Sequence, residues 1–87
     1  MEMTEVEARV RKVVAKALGV SEDTVKPESR FVQDLHADSI KSIELVAGFE
    51  AEFKIDMDED DALAVKTVGD AVTFIAQYVA AKEGGQA

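Results

Sequence analysis

The chain has no cysteine, no tryptophan, one proline and one histidine. Without cysteine there is no disulfide, no thiolate nucleophile and no Cys-ligated zinc or iron–sulfur centre. A single histidine, His36, excludes a multi-histidine metal site. The missing cysteine is compatible with a reducing cytosol. No apolar segment approaches the ~18 residues that a bilayer-spanning helix requires. Residues 1–5 have neither the basic region nor the apolar run of a secretory signal. These absences lead us to expect a cytoplasmic protein that does not insert into membranes.

Basic residues are also scarce, 10 against 18 acids, for a formal net charge of −8. Residues 1–30 balance their acids with bases, so residues 31–87 carry the whole excess. Such a field repels nucleic acid and anionic membranes and attracts basic protein surfaces. The same charge would equally keep a small domain soluble and monomeric. The 87 residues, 47% hydrophobic and 32% charged, fit one globular domain. Its core must be small, which argues against a deep, water-excluding active site.

Apolar periodicity predicts helices. Val6, Val10, Val13, Val14, Ala17 and Leu18 recur at three- and four-residue steps, predicting a helix over residues 4–18. Thr4 and Glu7 have capping-box spacing, and Gly19 is a suitable terminator. Residues 19–38 then form a long connection. Pro27 blocks a regular helix there, Ser21-Glu22-Asp23 reads as a turn or short helix start, and Val20, Val25, Phe31, Val32 and Leu35 are expected anchors.

Asp38 is a good N-cap for a second helix over residues 39–53. At 100° per residue, Leu45, Phe49, Ser42, Phe53 and Val46 share one core-facing stripe. Ile40, Ile43, Ala47 and Ala51 form a second stripe, where a helix with one buried face should be polar. It predicts either a wider core or a strip for docking partners. Residues 54–66 read as an acidic loop followed by a short helix around residues 62–65. Thr67, with Asp70 three residues on, caps a last helix whose stripe is Val68, Ala71, Val72, Ile75, Ala76 and Val79. The expected fold is an all-α four-helix bundle with three longer helices, a short third helix and a long first loop. We expect the domain to span residues 1–83, with residues 84–87 as a flexible tail.

Three chemistries compete near these helices. Asp56, Asp58 and Asp60 have the first spacings of a calcium loop, but Asp61 stands where glycine is needed and Thr67 where a bidentate Glu is needed. A solvated acidic helix start explains the run better, and we expect no metal site. His36, Asp38 and Ser39 supply the residue types of a hydrolase triad. Nothing in their spacing imposes triad geometry, and the stretch is not a G-x-S-x-G elbow. No catalytic residues are expected. Ser39 makes better sense as an acceptor: a phosphodiester on its oxygen would lie at the positive end of the helix dipole, near free N–H groups. Asp38 reads more easily as a recognition element than as support for a phosphate.

Phe31-Val32-Gln33-Asp34-Leu35-His36-Ala37-Asp38-Ser39-Ile40, followed by Ile43-Glu44-Leu45-Val46, resembles the attachment motif of the acyl carrier proteins of fatty acid and polyketide synthesis. The similarity extends over nearly the whole chain, through Leu18-Gly19-Val20, Glu50-Ala51-Glu52-Phe53 and Thr67-Val68. It implies that a phosphopantetheinyl transferase moves 4'-phosphopantetheine from coenzyme A onto Ser39, beside Asp38, and that the arm carries acyl groups as thioesters. It implies a non-catalytic carrier whose partners are acyl-processing enzymes with basic docking patches. Ile40, Ile43, Glu44, Ala47, Glu50 and Met57 would form the docking surface. Val46, Ala62, Val65, Val68 and Ala71, with Met57, would line a cleft for the acyl chain. The chain departs from the family pattern at His36-Ala37-Asp38-Ser39-Ile40, where Gly-x-Asp-Ser-Leu is common, and at Lys41, where an acid is common. These departures fit a specialised member. Two other readings are a peptidyl or aminoacyl carrier, and an unmodified interaction module that uses Ile40, Ile43 and Ala47.

Overall fold

The computed structural model describes residues 1–84, and these form helices joined by irregular segments. Helix α1 spans Met3–Leu18, α2 Ser39–Phe53, α3 Glu59–Leu63 and α4 Val68–Gly84. A 3-10 turn, Glu22–Thr24, interrupts the long first connection. The all-α bundle with three longer helices and a short third one is therefore as expected.

Helix α1 buries Val6, Val10 and Val14 against both α2 and α4. Its end follows from Gly19, whose φ of 68° places it in the left-handed region and lets its N–H reach Ala15 O. Its start differs from the expectation. Glu2 takes the N-cap position with no side-chain cap, so Thr4 lies inside the helix and the Thr4–Glu7 box does not form.

The long loop is pinned by apolar anchors and by backbone pairing. Val25, Phe31 and Leu35 are buried and Val20 is half-buried, but Val32 is 60% exposed, against expectation. Phe31 N–H donates to Lys66 O (3.0 Å), and Val68 N–H donates to Ser29 O (2.9 Å). Gly69 N–H reaches Pro27 O at 2.8 Å. A Cβ at residue 69 would lie 3.0 Å from that same oxygen, so glycine permits the close approach. The Arg11 guanidinium holds the other half of the loop, donating to Val25 O (3.0 Å) and Glu22 O (2.8 Å). These contacts satisfy backbone groups that a loop against the core would otherwise leave unpaired.

Helix α3 lies earlier than expected. Asp58 is its N-cap, accepting from Asp61 N–H at 3.0 Å, and Glu59, Asp60 and Asp61 fill its first turn. Acids at a helix start complement the dipole, which explains why the acidic run is the helix and not the loop before it. Ala64 and Val65 fall beyond its end. Helix α4 starts as expected, with Thr67 Oγ1 accepting from Asp70 N–H at 3.1 Å. It continues through Lys82 and Glu83 to Gly84, which was expected to belong to the tail. Of the expected tail, residues 85–87 lie outside the described residues.

Candidate functional site

Asp38 sets the start of α2. Its backbone is extended, and its Oδ1 accepts from Lys41 N–H at 2.8 Å. Its carbonyl accepts from both Ser42 N–H and Ser42 Oγ, each at 2.9 Å. The cap therefore satisfies the N–H groups of Lys41 and Ser42. Those of Ser39 and Ile40, the first two helical residues, are left at the mouth of the helix. Ser39 is exposed at this point. Because Asp38 performs the capping, the Ser39 hydroxyl is not needed for it.

The approach to Asp38 is a tight turn. Asp34 N–H and Leu35 N–H both return to Arg30 O, and Ala37 N–H donates to Phe31 O at 2.8 Å. His36 is exposed, with a φ of 59°. A left-handed backbone favours glycine, so the position that is glycine in the resembling motif is one whose conformation calls for it. Histidine tolerates this region better than most side chains. The Arg30 side chain and its backbone N–H both donate to Asp34, holding that carboxyl below the usual aspartate value. This exposed pair braces the turn before the serine.

Helix α2 presents its two stripes differently. Leu45, Phe49 and Phe53 are buried. Ile40 is 68% and Ile43 55% exposed, and Ala47 and Ala51 are exposed as well. Among the described residues the second stripe is thus uncovered and is not part of a wider core. The other expected docking residues behave differently from one another. Glu44 is exposed and pairs with Lys41 (3.4 Å). Glu50 is half-buried, and its Oε2 accepts from Met57 N–H at 3.0 Å, tying the α2–α3 connection to the helix. Met57 is a correction to the docking set: at 8% exposure it belongs to the core, because that tie turns it inward.

A cavity of about 310 Å³ lies beneath this region. That is at the small end of the range for ligand pockets. Leu45, Phe49, Met57, Phe74 and Ile75 form much of its wall, and Ala62, Val65 and Ala71 line it as the resemblance implied. Val46 and Val68 do not. Val68 is fully buried, and Val46 packs against the core without reaching the cavity. The wall also includes three polar residues not foreseen from sequence: Gln33, Ser42 and Lys66. Ser42 stands one turn after Ser39, about 4.5 Å along the helix axis. Sequence periodicity could not reveal the cavity, because its wall combines residues of three helices, α2, α3 and α4, with loop residues. The off-pattern apolar residues Val32 and Leu63, both exposed and both in the wall, were the available signal. Tyr78 holds the α3 side of the cavity in place: its Oη accepts from Asp58 N–H at 3.1 Å, and its ring meets Phe74 edge-on at 5.1 Å.

This architecture is that of a small helical carrier scaffold, a compact frame with a hydroxyl held out at a helix start and an apolar cavity one turn away. Residues 8–75, well over half the chain, match the model of the family described as the phosphopantetheine attachment site, and the chain belongs to that family. Its prosthetic group is accordingly a covalently attached 4'-phosphopantetheine, and its function is that of a carrier. The residues fit such a group: a solvent-facing hydroxyl beside two uncapped N–H groups at a helix N-terminus suits a phosphodiester. No helix among the described residues is long and apolar enough to cross a membrane.

Proposed function

We propose that Ser39 is the attachment point and that the chain is a cytoplasmic, monomeric, non-catalytic acyl carrier protein of fatty acid, polyketide or related synthesis. The observation that carries this reading is the exposure of Ser39 as the first residue of α2, with Asp38 performing the cap. On modification, Ser39 Oγ forms a bond to phosphorus and loses its proton. The pyrophosphate bond of coenzyme A breaks, and adenosine 3',5'-bisphosphate leaves. The bound arm supplies the thiol that carries cargo as a thioester. Ile40, Ile43 and Ala47 offer the transferase and acyl-processing enzymes an apolar strip. The acids concentrated in residues 31–87 draw in their basic patches. The cavity shelters the acyl chain, a role that its mainly apolar wall supports better than it would a polar aminoacyl cargo.

The test is an intact mass after incubation with coenzyme A and a broad-specificity phosphopantetheinyl transferase. The expected result is one phosphopantetheine adduct on the wild type and on Ser42→Ala, and none on Ser39→Ala. An adduct that persists in Ser39→Ala would overturn the assignment. The mass of the natively loaded protein distinguishes an acyl from an aminoacyl or peptidyl cargo.

A further inference from the structure

An open groove of about 570 Å³ runs between α1 and α2. It shares no lining residue with the cavity that α2, α3 and α4 enclose. Its floor is small and apolar: Val13 and Ala17 of α1 meet Gly48 and Ala51 of α2. The helices press together at Gly48, where a Cβ would lie 2.9 Å from Val13 Cγ1. The walls carry four charged residues, Lys16, Lys41, Glu44 and Glu52, and three of them are already neutralised. Lys41 Nζ lies 3.4 Å from Glu44, and Arg9 holds Glu52 at 3.2 Å. Lys16 remains. It is exposed, and so is Lys12, one turn earlier on the same side of α1. Among the described residues neither lysine makes an ion pair. The groove therefore presents uncompensated positive charge on a chain whose net charge is −8. Elsewhere the excess acids attract basic surfaces; this side attracts acidic ones.

The shape of the groove selects among acidic partners. Both of its walls are helices, and the small side chains between them let a third helix pack into the gap at an ordinary interhelical distance. The α2 wall runs from Lys41 to Glu52, roughly 16 Å or three helical turns. Its apolar floor continues from Ala51 to the exposed Ala47 one turn before it, so a docked helix would find no polar break there. We propose that the α1–α2 groove docks an acidic amphipathic helix of a partner protein. The small apolar face of that helix lies on Val13, Ala17, Gly48 and Ala51, and its carboxylates stand opposite Lys12 and Lys16. The site does not depend on the attachment at Ser39. It takes a partner opposite in charge to the basic enzymes expected on the Ile40 and Ile43 stripe.

The test titrates the isotope-labelled full chain, arm attached, with an amidated helical peptide of about 15 residues, or four turns. The peptide carries alanine and leucine on one face and glutamate beside them; its control replaces every glutamate by lysine. Amide chemical shifts of Val13, Ala17, Gly48 and Ala51 locate the binding and give the Kd. The expected result is saturable shifts at those amides, with the glutamate peptide binding there roughly fivefold or more tightly than the control and losing that preference at high salt. Replacing both free lysines, Lys12→Gln with Lys16→Gln, should weaken the glutamate peptide by roughly threefold or more and leave the control no weaker. Both positions are exposed, and the comparison of the two peptides on the wild type needs no variant at all. Shifts confined to other faces, equal binding of the two peptides, or a double variant that binds as the wild type does would each overturn the proposal. Groove shifts that grow with the concentration of the chain alone would assign the face to a second copy, and would overturn it as well. Absence of an adduct at Ser39 bears on the attachment assignment only.

Discussion

Truncating Leu45 and Ile43 to alanine asks whether the two apolar stripes of α2 have different roles. Leu45 is 4% exposed. Leu-to-Ala changes at buried sites cost ~2–5 kcal/mol. Because one side of Leu45 already faces the cavity, fewer contacts are lost, which places the expected cost in the lower half of that range, about 2–3 kcal/mol. Ile43 is 55% exposed. Full burial of an isoleucine is worth ~1.5–3 kcal/mol, less than half of that is at stake here, and alanine recovers some helix propensity. Its net cost should be below about 1 kcal/mol. For a domain of this size each kcal/mol shifts Tm by roughly 4–8 °C. Leu45→Ala should therefore melt on the order of 10–20 °C lower, while Ile43→Ala stays within a few degrees of the wild type. Circular dichroism during heating and in urea reads both, with an unchanged urea slope confirming that the change is in stability. Equal losses would show that Ile43 is a core residue and would remove the basis for a docking strip.

Three further outcomes are expected. His36→Gly should stabilise the chain by about 0.5 kcal/mol, since relief of a left-handed side chain outweighs the greater freedom of glycine in the unfolded state; a loss in urea titration would mean that the exposed imidazole makes a contact of value. Gly69→Ala should destabilise by about 1–2 kcal/mol despite the better helix propensity of alanine, because the new Cβ meets the rigid Pro27 carbonyl; a more stable variant would show that the loop can move away. The Asp34 carboxyl should titrate below the usual aspartate value by NMR and rise part of the way towards it in Arg30→Gln, where the backbone N–H of residue 30 still donates to the carboxylate. Its folded value is depressed, so its contribution to stability is present above the unfolded value and is lost as pH falls through the folded one. An unshifted Asp34 in the wild type would show that the exposed pair does not form in solution.

Local chemistry determined much of this protein. The Asp38 cap, the Gly19 terminator and the Thr67 cap act within one or two turns of themselves, so each was legible in order along the chain. The stripe of Leu45, Phe49 and Phe53 was legible because helical period alone places those residues together. The same local logic misplaced Thr4: the helix is capped at Glu2, two residues before the position that the Thr4–Glu7 spacing implied, so the box does not form. It also set α3 too late: the short helix was expected around residues 62–65, whereas the acidic run, read as a helix start in preference to a calcium loop, is itself the first turn.

Only the tertiary structure decided which apolar residues face outward and which enclose space. Ile40 and Ile43 are exposed because no other element among the described residues covers that side of α2, a fact about packing that no residue on α2 encodes. Met57 was expected on the docking surface and turned inward because the Glu50 carboxylate holds its N–H. Val46 and Val68 belong to the core and not to the cavity, since a cavity forms where helices and loops fail to fill the space between them. The wall residues Gln33 and Lys66 come from two loops far apart in sequence, joined by backbone hydrogen bonds between residues 27–31 and 66–69. The sequence by itself placed a serine at the start of a capped helix. The long-range pairing of those loops, which depends on Gly69 admitting the Pro27 carbonyl, decided what stands beside it.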